Sequence, residues 1–277
     1  MLFRTNPAVE VRGRVCLVTG GARGMGKLWA EAFAADGGRV ALWDMDTEAL
    51  KQTAAEFRAR GWPVFTQSVD VAKRSRVYAA AAQLAEEFGT VDILVNNAGI
   101  VAGGKFLEMK DERLEATINV DLIAIMWTCK AFLPGMIERG AGHIINISSA
   151  AGFIGVPFMP AYCAAKWGVL GLTESLRLEM KVLGHKGIGF TVFCPSFVDT
   201  GMFRGAKPPL LTPMLTPELA VRRAYDGFRG GDYVIKEPFM VKLTPALAAL
   251  LPTPLLDSVS DLLNATTSMS AWKGHDA

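Results

Sequence analysis

Apolar, β-branched runs alternate along the chain with segments whose apolar positions recur at helical spacing. Seven runs predict strands, at residues 15–18, 39–44, 64–69, 91–95, 143–147, 189–193 and 233–235. Helical patterns follow the first five, at about 25–36, from 46 or 47 to 60, up to 88, within 111–137 and at about 160–184. Strands alternating with such helices form βαβ units. The pattern therefore predicts an α/β fold, a doubly wound parallel sheet of about seven strands with helices on both faces.

We predict a single domain over residues 1–277, because no linker, internal repeat or low-complexity tract interrupts the alternation. Two regions depart from it. Residues 200–217 hold four prolines among apolar side chains, which is typical of a loop that covers a binding site, and we predict a substrate lid there. Residues from about 240 to 277 form an apolar C-terminal extension.

Composition excludes several classes of function. A net charge of +2, from 29 basic and 27 acidic residues, gives no electrostatic case for a nucleic-acid partner. The four cysteines have neither metal-ligand spacing nor the pattern of a disulfide framework, so we expect a reducing, cytoplasmic compartment. The histidines are His143, His185 and His275. They are scattered without ligand partners at suitable spacing, and no metal site is predicted.

No segment has the pattern of a secretion signal or of a bilayer-spanning helix. Residues 1–7 lack an apolar stretch of signal-peptide length, and the apolar stretches at 122–137 and 243–256 are interrupted by lysine or proline. We therefore expect a soluble protein. Peripheral contact between the apolar C-terminal segment and a membrane remains an open alternative.

A glycine-rich loop at residues 19–26 follows the first predicted strand and opens the first predicted helix. Glycine allows a tight turn and lets the backbone approach a pyrophosphate, while the helix N-terminus offers N–H groups and a positive dipole. The alternative is a glycine turn without a ligand, but the position between strand and helix favours a Rossmann-type dinucleotide site. The predicted contacts are Gly20, Arg23, Gly24, Met25 and Gly26.

The choice of dinucleotide depends on charges near the loop. Asp44 ends the second predicted strand, 18 residues after Gly26, where a carboxylate accepts hydrogen bonds from ribose hydroxyls and repels a 2′-phosphate. Arg23 could instead hold that phosphate, but no basic residue directly follows Asp44. NAD is therefore predicted over NADP. Asp70, after the third strand, could contact the adenine amino group or serve as a helix N-cap.

Tyr162 and Lys166 are four residues apart on a predicted helix, so their side chains share one face. A tyrosine phenol has a pKa of about 10, and a nearby ammonium group lowers it toward the range of a useful base. An ordinary amphipathic helix is the alternative. Three further features converge on this pair, because strand ends meet at the ligand-binding edge of a doubly wound sheet. These are Ser149 after the fifth strand, Asn119 inside a predicted helix, and Asn97 after the fourth strand.

The set of motifs resembles the short-chain dehydrogenase/reductase family over about residues 12–205. The matching features are the 19–26 loop, Asn96-Asn97-Ala98-Gly99, Asn119, Ser149, Tyr162, Lys166 and Pro195 with Thr200. The resemblance implies that Tyr162 is the acid/base and that Lys166 lowers its pKa and binds the nicotinamide ribose. It also implies that Ser149 holds the substrate oxygen and that Asn119 supports a proton-relay water.

The same resemblance implies the rest of the cofactor site. Its residues are Asp70, Val71, Asn97, Ala98, Gly99, Tyr162, Lys166, Pro195, Val198 and Thr200. Two positions depart from the family pattern, because Ser196 stands where glycine is usual and Cys163 where serine is common. The first departure concerns the backbone beside the nicotinamide.

A closer resemblance is to the branch that contains retinol dehydrogenases and 17β-hydroxysteroid dehydrogenases. It rests on Ala41-Leu42-Trp43-Asp44, on Leu251-Pro252 with Leu255-Leu256-Asp257, and on the ending at residues 268–274. It implies activity on lipidic alcohols. The apolar lid residues and the apolar segment 153–159 also predict such a substrate, because a polar one would need convergent polar groups. The lid residues are Met202, Phe203, Leu210, Leu211, Met214 and Leu215.

The leading hypothesis is an oxidoreductase that moves a hydride between NAD(H) and an apolar alcohol or ketone. The alternatives are a cofactor-binding sensor or scaffold without turnover, and an NADP-dependent reductase of small carbonyls. A homodimer or homotetramer is expected, because the segment 122–127 is apolar on more than one helical face.

Overall fold

The computed structural model describes residue 6 and residues 8–274. Residues 1–5 and 7 and the last three residues of the predicted domain, among them His275, therefore lie outside the described residues. The strands are β1 (Val15–Thr19), β2 (Arg39–Asp44), β3 (Val64–Ser68), β4 (Ile93–Asn96), β5 (Gly142–Ile147), β6 (Ile188–Pro195) and β7 (Val234–Glu237).

These strands form one sheet in the order β3-β2-β1-β4-β5-β6-β7, and every neighbouring pair is parallel. Chain order reverses between β1 and β4, so the two βαβ halves diverge there and leave a crevice at the carboxyl ends of the strands. The predicted doubly wound, Rossmann-type α/β fold is confirmed. Each predicted strand begins and ends within two residues of the observed one.

Helices cover both faces of the sheet. They are α1 (Gly24–Ala35), α2 (Thr47–Ala59), α3 (Arg74–Glu87), α4 (Asp111–Ile118), α5 (Ala124–Glu138), α6 (Pro160–Val182), α7 (Pro217–Arg229), α8 (Phe239–Leu250) and α9 (Thr253–Leu262). Asp46 is the cap of α2, where its side chain accepts from the Ala49 N–H. The long predicted helix is α4 and α5 joined by a π-helical turn, Asn119–Ile123.

The core has two halves, one on each face of the sheet. On one face, α1, α2 and α7 bury large side chains such as Trp29, Phe57 and Phe228. On the other, α3, α5 and α6 bury Leu84 and Met136 with their neighbours. All the residues of β1 and β6 are buried, as expected of central parallel strands.

One helical stretch in the described part of the chain, Asp111–Glu138, is long and apolar enough to cross a membrane by length and composition. Its α5 portion packs on the sheet, where Ile125, Cys129 and Met136 are buried. The apolar composition of α5 is therefore explained by its packing in the core.

The C-terminal third contains three helices that the sequence analysis does not predict. Because α7 begins at Pro217 with Thr216 as its cap, the irregular lid ends one residue earlier than predicted. The helix α8 is strongly apolar, yet Val241 is its only buried residue. Beyond α9, residues 264–274 run back across the lid, and we call this segment the strap. The Lys207 N–H donates to the Ser268 carbonyl and the Lys273 N–H to the Arg204 carbonyl.

Candidate active site

The glycine loop has the geometry of a phosphate cradle. Gly20 and Gly24 have φ of +62° and +54°, in the left-handed region that favours glycine. A Cβ on Gly26 would lie 2.0 Å from the Gly20 carbonyl oxygen, so this position excludes a side chain. At the N-terminus of α1, Arg23 makes no side-chain capping bond and the first turn has no acidic residue. The loop and the helix terminus therefore fit a dinucleotide pyrophosphate.

The segment after β4 fixes the shape of this loop. The Asn97 Nδ2 donates to the carbonyl oxygens of Thr19 at 3.0 Å and Gly20 at 3.1 Å. In return, the Thr19 hydroxyl oxygen accepts from the N–H groups of Asn97 and Ala98. The Asn97 amide is thus hydrogen-bonded to the loop itself and holds the loop in this shape.

Asp44 lies beside the cradle, where the ribose hypothesis requires a carboxylate. Its Oδ2 accepts from the Ala22 N–H at 3.1 Å and its Oδ1 from the Asp46 N–H at 3.0 Å. Burial raises the pKa of Asp44, while the hydrogen bond from the Ala22 N–H, the charge of Arg23 and a backbone hydrogen bond from Met45 oppose the rise. Each carboxylate oxygen retains capacity for another donor. The exposed Arg23 guanidinium pairs with Asp46.

The remaining predicted cofactor residues lie along the same edge. Asp70 is not the helix N-cap, since α3 begins at Arg74 with Lys73 before it, and the Asp70 Oδ1 instead accepts from the Ala72 N–H at 2.9 Å. The contact of Asp70 with adenine therefore stays a prediction. Val71 and Val198 are buried, Thr200 approaches Gly24, and Pro195 ends β6. The N–H of Ser196, the departure from the family pattern, donates to the Glu237 carbonyl at 2.7 Å.

Ser149, Tyr162 and Lys166 meet at the carboxyl ends of the central strands. All three are buried, at 7 %, 6 % and 4 % exposure. The Lys166 Nζ lies 5.3 Å from the centre of the Tyr162 ring and donates to the Ile147 carbonyl at 3.1 Å. The Ser149 hydroxyl donates to the Pro195 carbonyl at 3.4 Å. The structure therefore places these three predicted catalytic residues together.

Burial raises the pKa of Tyr162 above its ordinary value. The Asp121 carboxylate raises this pKa further, while a hydrogen bond with Ser149 lowers it. The phenol is consequently protonated at neutral pH before any cofactor is bound, which is the state that donates a proton to a carbonyl oxygen. Hydrogen bonding by Ser149 and the nearby ammonium group are the two features that favour its ionisation.

Asn119 requires a correction, because the structure does not bring it to this cluster. Asn119 is exposed, whereas Asp121 is fully buried beside Lys166. Residues two apart on a helix point in different directions, and the π-helical turn shifts the register at this place. A signal was present in the sequence: Asp121 is the only charged residue between 116 and 129.

An apolar roof covers the cluster, formed by the lid and the strap. The Phe203 ring packs edge-on against Tyr162, with centres 6.4 Å apart, and against Phe197 at 5.1 Å. The strap residues Met269 and Trp272 join this group, and the Trp272 Nε1 donates to the Met202 carbonyl at 3.1 Å. Phe197 and both strap residues were not predicted as site residues from the sequence.

The other predicted lid residues divide into two groups. Leu215 is buried in the core and forms a bridge with Val198, whereas Leu210 and Leu211 are exposed. In the predicted wall 153–159, Met159 is buried against the roof, and Val156 and Phe158 pack beside it. The apolar lining is therefore present, but only part of the lid contributes to it.

The described histidines lie apart from the Tyr162 cluster, whereas Cys163 belongs to the apolar group around Tyr162. His143 is buried against Thr191, and burial lowers the pKa of its imidazole to about 3. All four cysteines are free and buried. Within the part of the chain that the structure describes, no group of three or more potential metal ligands occurs.

Comparison with known proteins places the chain among dehydrogenases. The model of the family described as short chain dehydrogenase matches residues 14–210. Epidermal retinol dehydrogenase 2 of Mus musculus is 38 % identical over 273 residues, which cover 98 % of this chain and 88 % of that protein. Estradiol 17-beta-dehydrogenase 11 of Macaca fascicularis is 35 % identical over 263 residues, covering 95 % and 87 %.

Two solved structures of similar fold hold different cofactors. A short-chain dehydrogenase/reductase from Burkholderia phymatum in complex with NAD has a TM-score of 0.78 and 28 % identity, covering 92 % of this chain and 96 % of that one. A metagenomic short-chain oxidoreductase in complex with NADP has a TM-score of 0.69 and 29 % identity, covering 82 % and 96 %.

Proposed function

The chain belongs to the short-chain dehydrogenase family, whose members are NAD(P)-dependent oxidoreductases of CH–OH groups, and from that premise we propose that it acts on an apolar alcohol or ketone of steroid or retinoid size with NAD(H). One observation carries the substrate proposal: the Tyr162 ring lies beneath an apolar roof that includes Phe203 and Met269. The names of the relatives, a retinol dehydrogenase and an estradiol dehydrogenase, agree with that chemistry.

The chemistry assigns each residue a separate task. When bound, the nicotinamide supplies or accepts the hydride. The Ser149 hydroxyl donates to the substrate oxygen, and the Tyr162 hydroxyl gives the proton to that oxygen in reduction or takes it in oxidation. Lys166 favours the phenolate by its charge. The roof excludes water, which strengthens the polar interactions beneath it.

We predict that NAD binds more tightly than NADP. The Asp44 carboxylate beside the glycine loop repels a 2′-phosphate, and Arg23 is engaged with Asp46. Fluorescence titration of both cofactors measures the preference. Asp44→Asn keeps an acceptor for the Ala22 N–H but removes the charge. It should therefore reduce the difference between the affinities for NAD and NADP, whereas the control Glu48→Gln should leave that difference unchanged. Tighter binding of NADP to the wild-type protein contradicts the prediction.

We predict that kcat/KM rises with the apolar area of the substrate and that Phe203→Ser lowers it for large substrates. This substitution removes an aromatic side chain that lines the site, so about tenfold or more should be lost while NAD affinity stays the same. Leu211→Ser on the exposed part of the lid is the matched control. Steady-state assays over short alcohols, retinoids and steroids provide the measurement. Equal kcat/KM for small polar and steroid-sized alcohols excludes the proposal.

We predict a homodimer or homotetramer. Met126 on α5 and Trp167 on α6 expose 39 % and 53 % of their surface, so two neighbouring helices present apolar side chains to solvent. Exposed apolar patches of this kind commonly mark interfaces between proteins. Light scattering at micromolar concentration measures the assembly, and Trp167→Glu should favour the monomer. A wild-type monomer contradicts this prediction.

Peripheral contact with a lipid surface also stays a proposal. It is supported by an exposed face of α8, not by the residues of α5 and α6 that support the dimer. Phe239, Leu243, Ala246 and Leu250 recur at helical spacing along α8 and are all exposed. An apolar stripe on a surface helix suits insertion at the headgroup boundary. Flotation with phosphatidylcholine vesicles tests the proposal, and Leu250→Asp should abolish any binding.

Two alternatives lead to different results in the same assays. A cofactor-binding sensor or scaffold would bind NAD without turning over any substrate in the panel. An NADP-dependent reductase of small carbonyls would bind NADP more tightly than NAD, and its kcat/KM would not rise with the apolar area of the substrate. A cytoplasmic location likewise stays a proposal, which fractionation of cells tests.

A further inference from the structure

Asp121 is a buried carboxylate that the proposed chemistry does not use. It lies in the π-helical turn and has 0 % exposure. Its Oδ1 accepts from the Ile100 N–H at 2.8 Å. Its Oδ2 is buried without a hydrogen-bond partner and lies 3.7 Å from the Lys166 Nζ.

This arrangement is costly if Asp121 only fills space. A buried ionised oxygen without a hydrogen bond loses its hydration, and a single cation nearby compensates for this only in part. Lys166 points its hydrogen bond at the Ile147 carbonyl, so its link to Asp121 is an ion pair at longer range. A Cβ at Gly99 would lie 3.2 Å from the Asp121 Oδ1 and 3.7 Å from the Lys166 Nζ. Glycine at this position leaves the space between the two charges open.

We propose that Asp121 is a positioning residue for the Tyr162–Lys166 pair. Its carboxylate holds the Lys166 ammonium and weakens the stabilisation of the Tyr162 phenolate by that ammonium. Proton transfer therefore operates at a higher pH than it would with a neutral side chain at position 121. The proposal rests on the proposed function, because Tyr162 must be the group that moves the proton.

The groups that face Tyr162 determine the direction in which the pKa of its phenol moves when the Asp121 charge is removed. Asp121 in the π-helical turn raises the pKa of the phenol, as do the Cys163 thiol on α6 and the Cys194 thiol on β6, while the Ser149 hydroxyl after β5 lowers it. Lys166 on the same helix lies over the ring. Burial raises the pKa of Asp121 itself, whereas Lys166 and the Ile100 N–H lower it. A neutral residue 121 leaves the ammonium unopposed, and the pKa of the phenol falls.

Asp121→Asn removes the charge while retaining an oxygen for the Ile100 N–H. In the oxidation direction, the acid limb of the kcat/KM profile should move to lower pH by about one unit or more, as expected for the loss of a like charge near a phenolate. The matched control is Asp111→Asn, which removes an exposed carboxylate from the first turn of α4 and should leave the profile unchanged. Asp121→Thr, which also offers a neutral oxygen, is the second variant if the amide does not fold.

A titration without substrate or cofactor separates this inference from the proposed function. The ultraviolet spectrum of phenolate is followed with pH, and the component missing from Tyr162→Phe is assigned to Tyr162. Its midpoint should fall in Asp121→Asn even if no substrate is turned over. An unchanged midpoint and an unchanged pH profile in the folded variant, or an equal shift in Asp111→Asn, would overturn the proposal.

Discussion

Tyr162→Phe is expected to lower kcat/KM by at least about 10²-fold, the usual loss when a positioned acid/base is removed. The ring of Tyr162 is buried beneath Phe203, and phenylalanine preserves that packing while removing only the hydroxyl. The hydrogen bond with Ser149 is lost as well, so the substrate oxygen faces one donor instead of two. Steady-state kinetics with the best substrate of the panel measure the loss.

Two controls distinguish lost chemistry from lost structure. NAD should still bind to Tyr162→Phe, because the glycine loop that cradles the pyrophosphate lies elsewhere on the sheet edge and is not altered. Tyr225→Phe removes another hydrogen-bonded hydroxyl, 2.7 Å from the Asp36 Oδ2, and should leave kcat/KM intact at a stability cost of about 1 kcal/mol. A near-normal kcat in Tyr162→Phe removes this residue from the mechanism.

Gly26→Ala is expected to weaken NAD binding by about 10- to 100-fold. The added Cβ meets the Gly20 carbonyl oxygen at 2.0 Å and the Asn97 Nδ2 at 2.7 Å. Neither neighbour can move freely, since the Asn97 amide holds the Thr19 and Gly20 carbonyls. The loop must therefore shift, and overpacking of this kind costs about 1–3 kcal/mol, with 1.4 kcal/mol corresponding to a factor of ten in affinity. Isothermal titration with NAD measures the change.

The matched control for Gly26→Ala is Gly171→Ala on α6. A Cβ at Gly171 has no neighbour within 4 Å, so alanine fits there and NAD affinity should be unchanged. Alanine also favours the helix. Wild-type NAD affinity in folded Gly26→Ala protein would show that the loop is not a close-fitting cradle.

The sheet was predictable because buried parallel strands appear as continuous apolar runs, and β1 and β6 consist entirely of buried residues. The helix α7 was missed although Thr216 followed by Pro217 is a start signal, because the prolines before it indicated a loop. The helix α8 shows no polar face, so its pattern gave no amphipathic signal.

In the active site, spacing along a helix correctly predicted that Tyr162 and Lys166 lie together, but it misplaced Asn119. Tyr162 and Lys166 lie on the same regular helix, so four residues of separation fixed their common face. Asn119 and Asp121 lie in a π-helical turn, whose register the sequence does not reveal. The strap residues Met269 and Trp272 reach the site from about a hundred residues further along the chain, and no local pattern encodes so distant a contact.

The position of the strap has a consequence for the synthesis of the protein. Residues 264–274 follow every strand of the sheet in the chain, so the ribosome delivers the dinucleotide cradle and the Tyr162 helix before it delivers the roof. At about 5–20 residues per second, the nascent chain can bury its sheet while the roof over Tyr162 is still incomplete. A product that stops after α9 would therefore keep the machinery for the cofactor but leave Phe203 and Tyr162 open to water.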